Sequence, residues 1–219
     1  GILFMIGGDG TMRAATAIAD AVLRRGLKIA IVGVPKTIDN DILLVSRSFG
    51  FDTAVEVSTR AILGASNEAE GYPNGIGLIK LMGRESGFIA ATATLAQQDV
   101  NFVLIPEVDF DLEGPNGLLA SLERRLADRC HAVIVVDEGA GQKFFADEPV
   151  ERDASGNIRL KDIGLFLKRR ITEHFRRRGI EISIRYIDPS YMIRSLPANA
   201  NDRVFCNFLG RNAVHAGMA

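Results

Sequence analysis

The chain has 219 residues, enough for one large domain or two small ones around a sizeable core. Its 47% apolar and 24% charged residues suit a soluble globular protein, and a net charge of -1 offers no basic surface for nucleic acid or an anionic membrane. No apolar run approaches the ~20 residues needed to span a bilayer, and the first residues do not resemble a signal peptide.

Strand-like and helix-like patterns alternate along the chain. Residues 2–6 (Ile-Leu-Phe-Met-Ile) have a buried-strand pattern, and Gly7-Gly8-Asp9-Gly10 reads as a turn. Thr11 to Arg25 has helical periodicity, with Gly26 as its C-cap. Residues 28–34 form a second buried strand, stopped by Pro35, which cannot donate to a ladder. Asp52 caps a helix running to about Ala69 with Val55, Ala61, Ile62 and Ala65 on its buried face. Further strands are expected at Gly75 to Leu81, 102–105, Ala132 to Val136 and Glu181 to Ile187. Helices are expected at 87–97, at 116–129 with Leu118, Leu119, Leu122 and Leu126 inward, at Lys161 to Arg178, and from about Ala198 onward. Residues 142–160 are polar and carry a turn signal at Asp153-Ala154-Ser155-Gly156-Asn157. The distant Cys130 and Cys206 read as small buried hydrophobes, and His131, His174 and His215 lack metal-ligand spacing. The abrupt opening into a strand and the stop inside a helical pattern suggest a piece of a longer protein.

Strands separated by helices of 10–15 residues imply βαβ units, an α/β fold and mainly parallel sheets. In such sheets ligands gather at the carboxyl ends of the strands. Each expected strand end carries charge, in most cases beside glycine. The ends are Gly7-Gly8-Asp9-Gly10-Thr11, Pro35 to Asp41, Met82-Gly83-Arg84-Glu85-Ser86-Gly87, Pro106-Glu107, Asp137-Glu138-Gly139-Ala140-Gly141, and Asp188 to Arg194.

The residue types at these ends point to phosphate chemistry. Gly7 to Thr11 lets backbone approach a ligand and opens a helix, whose free N–H groups favour an anion. Asp9 would repel phosphate unless Mg²⁺ lies between them, since Mg²⁺ takes one or two carboxylates plus phosphate oxygens. Of Asp39 and Asp41, one carboxylate can accept a hydroxyl proton while the other acts through metal-bound water. Lys36 can contact phosphate as a point charge. Arg84, Arg185 and Arg194 are candidates for a phosphorylated substrate, and Glu138 for sugar hydroxyls. Arg169, Arg170, Arg176, Arg177 and Arg178 read as the solvated face of a helix. Taken alone, residues 35–41 also fit a polar turn built by Asp and Asn.

Five of these segments occur in one order: Gly7 to Thr11, Pro35-Lys36-Thr37-Ile38-Asp39-Asn40-Asp41, Met82 to Gly87, Ile105-Pro106-Glu107 and Glu138 to Gly141. Together they resemble the 6-phosphofructokinase family, in particular its plant, trypanosomatid and some bacterial members. The first motif also occurs in NAD kinases and lipid kinases; the second and third in this order are specific. An NAD kinase would leave residues 35–41, 82–87 and 138–141 unexplained. A non-catalytic sugar-phosphate-binding subunit would be expected to lack Asp9, Asp39 or Asp41, all of which are present.

The resemblance implies a phosphofructokinase-like fold of two lobes with the site between them. Residues 1–50 and 193–219 would belong to the donor lobe and 51–192 to the sugar-phosphate lobe. It implies transfer of phosphoryl from ATP to the 1-hydroxyl of D-fructose 6-phosphate, with Mg²⁺, in a cytoplasmic homodimer or homotetramer. Asp39 would be the base, aided by Thr37 at the transferring phosphoryl group and by Arg84. Gly8, Asp9, Gly10, Thr11 and Lys36 would bind the donor, with Asp9 and, through water, Asp41 on the metal. Met82, Gly83, Arg84, Glu138, Arg185, Tyr191 and Arg194 would bind the sugar phosphate, together with Thr37 and Asp39. Gly at position 10 goes with ATP, where pyrophosphate enzymes carry Asp; Lys36 is shared with the pyrophosphate enzymes, so pyrophosphate is the alternative donor. The family's first strand and glycine-rich loop would precede residue 1 and its closing region would follow residue 219. Short bacterial members carry Arg at the place of Gly75.

Overall fold

Parallel pairing organises both sheets of the computed structural model, which describes residues 1–152, 156 and 158–219. The chain divides into two units, Gly1–Thr53 with Leu196–Ala219, and Ala54–Ser195. The α/β class expected from the sequence is the observed one. The turn expected at 153–157 falls, Gly156 apart, outside the described residues.

In the first unit, β1 (Ile2–Gly7) and β2 (Ala30–Pro35) pair from Ile2 opposite Ala30 to Gly7 opposite Pro35. Pro35 takes the last rung, where its missing N–H costs least; the next residue, Lys36, donates its N–H to the Gly7 carbonyl at 2.7 Å. Helix α1 (Asp9–Arg24) starts two residues before the expected Thr11 and ends in a Schellman motif. There Gly26, at φ +61°, and Leu27 donate to Leu23 and Val22. The expectation of a buried strand at 2–6 does not hold: Ile2, Leu3 and Phe4 are 40–42% exposed and Ile6 64%. β1 pairs with β2 alone, so the described residues leave its other edge and much of its surface open.

The last helix, α7 (Ala200–Met218), is tied to the rest of this unit by one buried carboxylate. Asp202, 1% exposed, accepts the backbone N–H groups of Gly50 and Thr53 at 2.8 Å each and the Thr53 hydroxyl. Asn199 caps α7 by accepting from Asp202 N–H at 3.0 Å, and Asn199 N–H donates back to Thr53 Oγ1 at 2.9 Å. The N-terminal end of α2 (Phe51–Glu70) is therefore satisfied by a side chain of α7, while α7 is capped by its own Asn199, whose N–H is taken by Thr53. Asp52, expected as the cap of α2, instead lies in its first turn and pairs with Arg47 at 3.0 Å.

In the second unit the strand order is β4 (Phe102–Leu104), β5 (His131–Asp137), β3 (Gly75–Leu81), β6 (Ser183–Ile187). The central β3 and β5 are almost entirely buried and read as continuous apolar runs, as strands covered on both faces must. Helix α4 (Leu118–Arg129) buries Leu118, Leu119, Leu122 and Leu126 as its periodicity predicts, and α5 (Ile163–Arg178) buries Ile163, Leu167, Ile171 and Phe175. Of the face expected for α2, Ile62 and Ala65 are buried, while Val55 and Ala61 are half-buried. Small residues meet where α2 crosses β3: a Cβ on Gly75 would stand 2.0 Å from the Ala69 carbonyl oxygen, and one on Gly77 2.9 Å from that of Ala65. Helices α3 (Phe88–Ala96) and the short α6 (Ser190–Arg194) complete the unit.

Both cysteines are free and exposed, contrary to the expectation of buried hydrophobes. Cys130 occupies the left-handed C-cap of α4 (φ 60°), and Cys206 lines an open apolar groove of α7 with Phe4, Ile6 and Leu209. Among the described residues no helix is long and apolar enough to cross a membrane.

Asp202→Ala removes an acceptor from three donors and leaves buried N–H groups unsatisfied. Its cost is expected to be about 2–3 kcal/mol, read as a lowered urea midpoint with unchanged denaturant slope. An unchanged midpoint would show that the tie between α2 and α7 contributes little.

Candidate active site

In the first unit, the loops after β1 and β2 are neighbours because the strands are parallel and in register. Gly8 is the N-cap of α1, and no side chain caps this end, so the first-turn N–H groups are available to an anion. Gly7 is required by packing, since a Cβ there would stand 2.2 Å from Thr11 Oγ1. Gly10 is not: a Cβ there would meet nothing within 4 Å. Asp9 is exposed and ion-paired with Arg13 one turn on. Past β2, Thr37 Oγ1 accepts the Asp39 N–H at 3.0 Å, which leaves the hydroxyl proton free to donate. Asn40 is left-handed (φ 59°), and its side-chain oxygen accepts from Ser48 N–H at 2.7 Å. That clamp separates the two carboxylates: Asp39 is half-buried and Asp41 exposed. Lys36 is exposed.

In the second unit, the loops after β3, β4 and β5 hold one another. Glu138 Oε1 accepts from Gly83 N–H at 3.3 Å and Arg84 N–H at 3.1 Å. Asp137, fully buried, accepts the Gly139 N–H at 2.9 Å. Glu107 accepts the Gly87 N–H with both oxygens, at 2.9 and 3.1 Å, at the start of α3. The contacts are too close for side chains: a Cβ on Gly139 would lie 1.6 Å from the Arg84 carbonyl oxygen, and one on Gly83 2.3 Å from Asp137 Oδ2. Arg84 is left-handed (φ 55°) and exposed, whereas Met82 is buried (3% exposed).

After β6, Tyr191 and Arg194 lie exposed on α6, anchored by the buried Ile193. Arg185 is not brought to this edge. It sits within β6 opposite Gly77, its guanidinium 5.0 Å from the centre of the Tyr72 ring and 3.6 Å from Glu68. Sequence reasoning overlooked the ties beneath the edge. Asn40, Asp137, Glu107 and the lysine one residue before the end of β3, Lys80, all act on neighbouring backbone or on carboxylates of other segments. Lys80 Nζ lies 3.1 Å from Asp162 and 2.9 Å from Asp188. Burial would lower its pKa, but the hydrogen bond to Asp188 and the remaining contacts raise it well above the usual lysine range. Burial pushes the neighbouring Tyr186 hydroxyl up to about 12. Burial likewise opposes ionisation of Asp188, yet hydrogen bonds from Ser190 and Lys80 outweigh it and hold the carboxyl below its ordinary value. That contribution to stability is present above the ordinary carboxylate range and fades as the pH falls through the lowered value. Among the described residues no group of three or more His, Cys, Asp or Glu could hold a metal ion by itself.

Residues 1–217 match the family described as Phosphofructokinase. The chain belongs to this family. It is 55% identical over 224 aligned residues to an ATP-dependent 6-phosphofructokinase of Borreliella burgdorferi, covering all of this chain and 50% of that protein. It is 54% identical to ATP-dependent 6-phosphofructokinase 7 of Arabidopsis thaliana, covering 99% of this chain and 45% of that one. The chain thus spans about half the length of these curated relatives. A pyrophosphate-dependent phosphofructokinase from Marinobacter aquaeolei shares the fold (TM-score 0.76, 24% identity, all of this chain and 52% of that one). At Gly75 the Ala69 carbonyl fills the space a side chain would need.

Gly139→Ala is expected to push the Arg84 carbonyl away and misplace the loop at 82–87. Circular dichroism should stay native, while amide hydrogen exchange at 82–87 accelerates about tenfold or more. Unchanged exchange would show that this contact does not set the course of the loop.

Proposed function

We propose that this chain carries the donor and sugar-phosphate groups of an ATP-dependent 6-phosphofructokinase, which transfers the γ-phosphoryl of ATP to the 1-hydroxyl of D-fructose 6-phosphate. The observation that carries the reading is the pairing of the uncapped α1 terminus with the Thr37–Asp39 loop, one register step apart on parallel strands. A phosphate-accepting turn beside a half-buried carboxylate is what phosphoryl transfer to a hydroxyl requires.

The roles follow from the chemistry. Nucleotide phosphates take the N–H groups around Gly8, Gly10 and Thr11, with Lys36 adding charge. Asp39 accepts the proton of the 1-hydroxyl as that oxygen bonds to the γ-phosphorus; the bond to the β,γ-bridging oxygen breaks and ADP leaves. Thr37, its oxygen already accepting from Asp39 N–H, donates its proton to the phosphoryl group. Mg²⁺ fits here as an ion that enters with the nucleotide. Asp9 is exposed at the helix terminus and ion-paired with the exposed Arg13, and Mg²⁺ asks for one or two carboxylates besides phosphate oxygens. When bound it supplies neutralising charge; Asp9 would hold it, and Asp41 through water. Arg84, Arg194 and Tyr191 bind the sugar phosphate, Met82 and Gly83 contribute backbone, and the second oxygen of Glu138 is left for a sugar hydroxyl. Arg185, engaged with Tyr72 and Glu68, would have to leave them to reach a phosphate. We further propose cytoplasmic placement, which suits two free thiols, and a homodimer or homotetramer.

ATP is favoured over pyrophosphate by the open space at Gly10. Among the described residues no atom crowds that position, which supports a ligand that needs the room. Lys36 is the feature on the side of pyrophosphate. Two measurements test the reading. The intact protein should turn over fructose 6-phosphate with ATP and Mg²⁺ and fail with pyrophosphate; the reverse result overturns the donor assignment. Asp39→Ser should lower kcat by about 10²-fold or more while substrate affinities change little; near-normal turnover removes Asp39 as base.

A further inference from the structure

Lys80 occupies β3 just before the loop that carries Arg84, and its side chain is only 12% exposed. It bridges two carboxylates that organise different segments. Asp162 caps α5 by accepting from Leu165 N–H at 3.0 Å and also accepts the Tyr186 hydroxyl at 3.2 Å. Asp188, first residue after β6, accepts the Ser190 N–H at 3.2 Å and the Ser190 hydroxyl, so it sets the turn from which α6 starts. The Tyr186 ring lies against Gly164, where a Cβ would come within 2.4 Å of it, so α5 and β6 are held at close range around the lysine.

A helix of five residues has little stability of its own. The course of α6 is fixed from outside, by Asp188 at its entry and by Ile193, 4% exposed, at its buried side. Tyr191 and Arg194 project from it into solvent. We infer that Lys80 is a positioning residue, which through Asp188 sets where Tyr191 and Arg194 stand. The inference rests on the reading of those two residues as sugar-phosphate groups. It adds a residue that touches no substrate and that none of the phosphate-binding motifs contains. The raised pKa of Lys80 means that the clamp carries its positive charge throughout the neutral range.

The test uses the intact protein with Lys80→Met and Lys80→Arg. Two readouts are taken: amide hydrogen exchange without ligand, and the separate affinities for fructose 6-phosphate and ATP. Lys80→Met should accelerate exchange at 190–194 about tenfold while α4 is unchanged, and should weaken fructose 6-phosphate about tenfold with ATP affinity within about twofold. Lys80→Arg, which keeps the charge, should restore most of both. Unchanged exchange at 190–194, or equal losses for both ligands, overturns the inference. Should Lys80→Met fail to fold, Asp188→Asn tests the same link and must show the same pattern, and its absence is equally fatal. If the unmodified protein binds no fructose 6-phosphate, the functional reading fails, while exchange still decides whether Lys80 orders α6.

Discussion

The shape of the second unit's sheet edge depends on how closely two loops approach each other after β3 and β5. Because those strands are parallel neighbours in register, the chain leaves both at the same level, Leu81 opposite Asp137. The loops then share one small volume. Glu138 reaches across to the N–H groups of Gly83 and Arg84, and Asp137 turns back on Gly139. The Arg84 carbonyl fills the place where Gly139 would otherwise carry a Cβ. This contact accounts for several separate features together: glycine at 83 and 139, the left-handed backbone of Arg84, and a buried Asp137 at the end of an otherwise apolar strand.

Most of the architecture was legible because the physics that sets it is local or periodic. The leucines of α4 repeat at helical spacing, and all four are buried. The apolar runs of β3 and β5 announce strands covered on both faces. What misled was the assumption that an apolar run must be covered. Residues 2–6 have the pattern of β3, yet among the described residues β1 pairs with β2 alone and is left open. Burial is a property of neighbours, and a pattern cannot count them. The cysteines failed similarly: Cys130 looks like a small hydrophobe, but its position is a left-handed helix end facing solvent.

At the candidate site the sequence disclosed the groups that face outward and hid those that face other protein groups. Gly7 to Thr11 and Pro35 to Asp41 stood out by composition. The role of Asn40 did not, since its clamp on Ser48 spans eight residues of irregular loop. Glu107 could be seen as part of a strand end but not as the acceptor for Gly87, twenty residues earlier. Lys80 shows no signal at all within an apolar strand, because its partners Asp162 and Asp188 lie 82 and 108 residues away and only folding supplies them. Arg185 shows the converse, a residue type suited to phosphate that strand register sets against Tyr72.

The distribution of bonded charges favours an anion at this edge. The chain supplies carboxylates at the strand ends as freely as guanidinium groups, so composition alone does not decide the sign. Folding engages most of these carboxylates: Glu107, Asp137 and one oxygen of Glu138 accept backbone N–H groups, and Asp162 and Asp188 are tied to Lys80, while Glu85 stays exposed. Arg84 and Arg194 stay exposed, and among the described residues neither has an ion pair. A carboxylate bonded to backbone N–H has part of its charge answered by fixed dipoles, whereas an unpaired guanidinium keeps its full field and all its donors. The edge therefore presents cations on a scaffold stiffened by its anions. That is the arrangement in which a phosphorylated ligand gains most, because the groups it meets need not first release a partner.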